Sequence, residues 1–105
     1  MLLVLLLACY RLEDFELDYA VAACEKAYTS DCYTEDQLDY FPWDDLEDCI
    51  DNKEPDVELP AEDCDFDPRA ARDCVDETAA LECSAFTAGR FPDTCHLVCG
   101  GEVPE

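Results

Sequence analysis

With 105 residues the chain holds one domain at most, near the size below which an apolar core alone struggles to stabilise a fold. Six basic against 28 acidic residues leave a formal charge of −22, which opposes compaction and excludes nucleic-acid binding or adhesion to an anionic lipid face through basic charge. Basic partners and cations are the charged ligands such a surface favours, and nine cysteines spread through so short a chain point to disulfides in an oxidising compartment rather than to metal.

Residues 2–8, LLVLLLA, are too short to span a bilayer, which takes about twenty apolar residues, and fit the apolar part of a secretory signal. Residues 1–8 are therefore read as a signal sequence; no Lys or Arg precedes the run, which leaves room for a start upstream of Met1. Leu6-Leu7-Ala8-Cys9 resembles a bacterial lipobox, in which a small residue precedes a cysteine that carries diacylglycerol through a thioether. Cys9 is thus expected to be lipidated and to anchor the chain to a membrane. The alternative is a buried N-terminal apolar segment with Cys9 as a free or bridging thiol. Parity favours the lipid: nine cysteines cannot all pair, whereas Cys24, Cys32, Cys49, Cys64, Cys74, Cys83, Cys95 and Cys99 are an even eight.

From Cys9 to Glu105 the chain reads as a single disulfide-rich helical domain made of two related units, about 13–52 and 64–100, joined by a linker over 53–63. An offset of fifty residues superposes Ala20 on Ala70, Cys24 on Cys74, Phe41-Pro42 on Phe91-Pro92 and Cys49 on Cys99, with Cys32 one residue out of step with Cys83. In unit one Leu17, Ala20, Val21, Cys24 and Tyr28 recur at helical steps and predict a buried stripe. A second helix is expected to begin at Pro42, suited to a first helical position, and to turn Leu46, Cys49 and Ile50 to one face. The linker KEPDVELPAED has two prolines and no helical period. Unit two opens with Asp67 as N-cap and Pro68 as first residue, followed by a stripe of Ala71, Cys74, Val75, Thr78 and Leu81. Its short partner aligns Phe91, Cys95, Val98 and Cys99.

Cys74 lies seven residues before Leu81 and Cys99 seven after Pro92, so an antiparallel pair would put both about 10 Å from the turn. The same count holds for Cys24 before Asp31 and Cys49 after Pro42. The spacing predicts Cys24–Cys49 and Cys74–Cys99, each closing a loop worth roughly 3–4 kcal/mol. Cys83–Cys95 across the second turn and Cys32–Cys64 from linker to unit one would complete the set, out of three choices left open by the first two bonds.

The run Cys64-Asp-Phe-Asp-Pro-Arg-Ala-Ala-Arg-Asp-Cys74-Val-Asp, continuing to Leu81, Cys83 and Phe91-Pro92-Asp-Thr-Cys95, resembles small cysteine-rich lipoproteins predicted in myxobacteria and their relatives. Those proteins follow a lipobox leader with C-x-(F/Y)-D-P-x-A-A-x-x-C-(L/V)-D and a later P-x-x-C. The similarity covers most of the chain after Cys9 and is most specific over residues 64–99. It implies a cell-envelope location and a helical, disulfide-linked body, and carries no activity with it.

Little catalytic chemistry is available. His96, the only histidine, adjoins Cys95, but neighbours on a helix point apart and cannot work as nucleophile and base by adjacency. The chain has no Cys-x-x-Cys, and Cys95-x-x-x-Cys99 has no matching second pair to complete a zinc site. Asp63, Asp65 and Asp67 alternate like the opening of a calcium loop, but Pro68 and Cys74 stand where an EF-hand needs Gly and Glu, so a helix-capping turn is expected. Asp44, Asp45, Glu47, Asp48 and Asp51 read as a solvated face near a helix terminus. Three glycines and no phosphate loop leave nucleotide binding without support. No enzyme and no cofactor are expected. The expectation is an all-α protein of two tandem disulfide-clasped helical hairpins: an extracytoplasmic lipoprotein in the bacterial envelope with a structural or protein-interaction role, in which a basic protein would be the fitting partner. A secreted acidic binding module, an inhibitor or effector, and an extracytoplasmic cation-binding protein are the alternatives.

Overall fold

The computed structural model describes residues 10–55 and 64–100. The signal sequence, Cys9, Asp63 and most of the linker lie outside the described residues. In chain order the elements are α1 (Leu12–Thr29), α2 (Glu35–Asp39), α3 (Leu46–Asn52), α4 (Pro68–Ala80), α5 (Cys83–Thr87) and a 3₁₀-helix (Asp93–Leu97). The fold is all-α, with no strand among the described residues.

Local chemistry accounts for most boundaries. Asp14 accepts a hydrogen bond from the Arg11 amide at 2.9 Å, closing the first turn of α1. Asp67 accepts from the amides of Arg69 and Ala70 at 3.0 and 3.2 Å, and Pro68 follows as the first helical residue, as expected. The helix expected from Pro42 begins later: Asp45 is its N-cap, accepting from the Asp48 amide at 2.8 Å, and α3 starts at Leu46. A side-chain cap at Asp45 fixes the start more firmly than the favourable φ of Pro42. Two short helices were not foreseen. Thr34 and Gln37 form a reciprocal capping box that starts α2, a signal present in the run TEDQ. Helix α5 ends in a Schellman turn, in which Gly89 at φ 74° donates to Phe86 O and Arg90 donates to Ala85 O.

Helix α1 lies against both α3 and α4, and α4 lies against the 3₁₀-helix. One row of α1, formed by Phe15, Tyr19, Ala23 and Ala27, joins Ala71, Cys74, Phe86, Cys95 and Val98 in a single core. The adjoining row places Ala20 and Cys24 inside as well. The stripe predicted for α1 was therefore partly misplaced. Ala20 and Cys24 are buried, but Leu17 is 56% exposed, and Val21 and Tyr28 are only half-buried. Two partners on different sides of α1 widen and rotate its buried face, which a single 3.6-residue stripe cannot show. In α4 the prediction holds for Ala71, Cys74 and Thr78, each fully buried. Lys26 on α1 donates to the Ala79 carbonyl at 3.1 Å, placing a cation at the C-terminal end of α4. The two units thus share a core, with α1 and α4 side by side.

All eight cysteines among the described residues are paired with one another. Cys24–Cys49 is the bond the spacing predicts. The other three differ from expectation: Cys74 joins Cys95 rather than Cys99, Cys99 joins Cys64, and Cys32 joins Cys83. The seven-residue count assumed an α-helical partner meeting α4 directly after a turn. Instead α5 intervenes, and the partner is a short 3₁₀ segment of steeper rise, so Cys95 already stands opposite Cys74. The chain then runs on past the start of α4, where the Asp67 amide donates to Val98 O at 2.7 Å and Cys99 meets Cys64.

Candidate functional site: an aromatic groove between the two halves

Ala23 and Ala27, one turn apart on α1, leave room that larger side chains would fill. The resulting hollow has a volume of about 190 Å³. Cys49 and Phe86 complete its floor with the two alanines, and Tyr33, Phe41, Trp43 and Phe91 form its walls. Phe41 and Phe91, the two copies of the repeated Phe-Pro dipeptide, thereby converge on one site from opposite units. The rings brace one another edge to face: Tyr33 to Phe41 with centroids 5.0 Å apart, Phe41 to Trp43 at 5.8 Å and Tyr33 to Phe86 at 6.1 Å. Cys32 and Cys83 hold the chain next to Tyr33 and α5 together, so the groove stands on a covalently closed frame.

Both lysines of the chain stand over rings of this lining. Lys53 Nζ is 5.7 Å from the Trp43 centroid and Lys26 Nζ is 6.0 Å from that of Phe86. A more open hollow adjoins the groove, shares Phe41 and Trp43 as its wall, and is edged by Glu35, Asp39, Asp44 and Asp45. Tyr28 also lines it, and the Tyr28 hydroxyl is buried with no hydrogen-bond partner among the described residues. Burial foremost, then the charges of Asp45, Asp48 and Asp44, push the Tyr28 phenol above its ordinary pKa.

The residues singled out in sequence fall as follows. His96 is exposed on the 3₁₀-helix. Cys95 and Cys99 are bonded to different partners, so neither sulfur is a thiolate ligand. Asp67 is an N-cap. Asp45 and Asp48 cap and brace the start of α3, Asp48 accepting from the Asp44 amide at 2.8 Å. Among the described residues no three His, Cys, Asp or Glu side chains converge to hold a metal ion. The groove itself was not anticipated; the doubled Phe-Pro dipeptide was the available signal.

Four disulfides in a body this small indicate an oxidising, extracytoplasmic environment. No helix among the described residues is long and apolar enough to cross a membrane. No family model, no curated protein and no solved structure matches the chain.

Proposed function

We propose that the chain is a cell-envelope lipoprotein that acts as a protein-interaction module, held at a membrane by a lipid on Cys9 and presenting the aromatic groove to a partner. The groove carries this reading. Half-buried aromatic side chains around a preformed hollow are the kind of surface that anchors a partner's side chain at low entropic cost. A cavity of about 190 Å³ is too small for a large cofactor and suits one ring or one branched side chain, since a hollow on the order of 150 Å³ accommodates benzene. The eight other cysteines being paired among themselves supports Cys9 as the residue left for lipid.

Two readouts on protein from a lipidating bacterium test the reading. An intact mass matching a chain that starts at diacylated Cys9, with no thiol alkylated before reduction, is expected. A mass that retains the leader, or a cleaved product without lipid, overturns the anchor. Selection of random heptapeptides on the purified protein is expected to yield binders that lose affinity to the Trp43→Ala variant and keep it for Leu17→Ala. Binders indifferent to Trp43, or no binders above background, overturn the groove as the interaction site.

A further inference from the structure

We infer that the groove takes a basic segment, with an apolar side chain seated among the rings and an arginine or lysine immediately beside it on the acidic edge. The inference rests on the interaction reading above and deepens it by naming the partner's chemistry. Its basis is the junction of two hollows along one wall. Phe41 and Trp43 face the apolar hollow on one side and, on the other, the hollow edged by Glu35, Asp39, Asp44 and Asp45. An apolar anchor and a neighbouring cation would therefore touch the same two rings.

Charge selects the cation. The chain carries −22, so a basic segment is drawn in at long range and an acidic one repelled. At short range the chain's own Lys53, over Trp43, and Lys26, over Phe86, already occupy ring faces of this lining, which leaves the carboxylate-edged side of Phe41 and Trp43 for an incoming cation. Arginine fits best, because its flat guanidinium stacks on a ring while its N–H groups reach carboxylates.

Trp43 is the only tryptophan and reports on occupancy directly. Its emission is followed while three synthetic peptides are added to the disulfide-intact protein: Gly-Ser-Leu-Arg-Arg-Ser-Gly, the same peptide with citrulline for both arginines, and the same with alanine for leucine. The first is expected to give a saturable change. Citrulline, isosteric but neutral, is expected to weaken binding about tenfold or more, and alanine by a similar factor. In the double variant Asp44→Asn, Asp45→Asn the preference for arginine over citrulline should shrink several-fold; asparagine caps helices as well as aspartate, so α3 is retained.

Equal binding of the arginine and citrulline peptides overturns the inference and leaves the interaction reading standing. Equal binding of the leucine and alanine peptides reduces the effect to diffuse charge attraction and overturns it as well. Tighter binding of tetramethylammonium alone than of the arginine peptide would assign the site to a small organic cation and overturn the basic segment. If none of the peptides binds and the heptapeptide selection also fails, both readings fall together.

Discussion

Cys32, in the turn after α1, is bonded to Cys83, the first residue of α5, with their Cα atoms 5.1 Å apart. An offset of fifty residues brings these two cysteines to within one residue of each other, so the bond joins the two halves of the chain at nearly matching points. Two independent tandem hairpins could not form it; units packed face to face can. The same arrangement brings Phe41 and Phe91 to one groove.

This bond is also the most accessible of the four. Cys83 is exposed and Cys32 half-buried, whereas Cys24, Cys49, Cys74 and Cys95 are all buried. Thiol–disulfide exchange requires a thiolate to reach a sulfur. Brief treatment with a mild thiol reductant at native pH, followed by alkylation and peptide mapping, is expected to label Cys32 and Cys83 first. Labelling of Cys74 and Cys95 ahead of them would contradict the packing.

Phe15 and Leu17 lie two residues apart on α1 and differ wholly in burial, at 0% and 56% exposure. Phe15→Ala empties a site against Tyr19 and Phe66 and is expected to cost about 3–5 kcal/mol. Leu17→Ala should change stability by less than about 0.5 kcal/mol. Urea unfolding of both variants decides whether the core row is Phe15-Tyr19-Ala23-Ala27 or the stripe through Leu17.

Asp31 has φ 58° just after α1, the left-handed region in which an L side chain is strained, and Gly89 has φ 74° after α5. Asp31→Gly is expected to raise stability by up to about 1 kcal/mol, and Gly89→Ala to lower it by roughly 1–2 kcal/mol. Opposite shifts in Tm for the two variants would support both turns. A destabilised Asp31→Gly would show that its side chain has a role beyond the backbone geometry.

Tyr10 and Tyr28 both have phenols pushed above their ordinary pKa. Burial is the leading cause in each; at Tyr10 the hydrogen bond to Asp18, at 3.0 Å, comes next. A raised pKa in the folded state means that its stabilising contribution is complete below the unfolded value of about 10 and is lost as pH climbs through the folded values. Urea midpoints should therefore be flat in this respect to about pH 9 and fall above pH 10, while phenolate absorbance of these rings lags behind that of free tyrosine. Tyr28→Phe should flatten the alkaline slope with little cost at neutral pH, since its hydroxyl makes no hydrogen bond among the described residues. An unchanged slope would place the effect elsewhere.

The helical class, the disulfide-dense body, the start of α4 at Asp67-Pro68 and the Cys24–Cys49 bond were legible in the amino-acid order alone. The first three follow from local signals, namely composition, a side-chain cap and proline at a first helical position; the Cys24–Cys49 bond forms as the count from Pro42 predicts, but across the α1–α3 contact with α2 intervening and α3 starting only at Leu46. The capping box at Thr34 and Gln37 was equally local and would have given α2. Which row of α1 is buried, how Cys32, Cys64, Cys74, Cys83, Cys95 and Cys99 pair, and where the groove lies were decided only by the tertiary structure. Each depends on residues far apart in the chain meeting across the contacts of α1 with α3 and α4 and of α4 with the 3₁₀-helix. Helical periodicity shows that a helix has an apolar side; it cannot say that two partners approach from different directions. Spacing between cysteines fixes a distance only when the intervening elements are known, and the unforeseen α5 and the 3₁₀-helix moved Cys83 and Cys95 to other partners. The aromatic residues of the groove, scattered from Tyr33 to Phe91, become a site because the two units face each other.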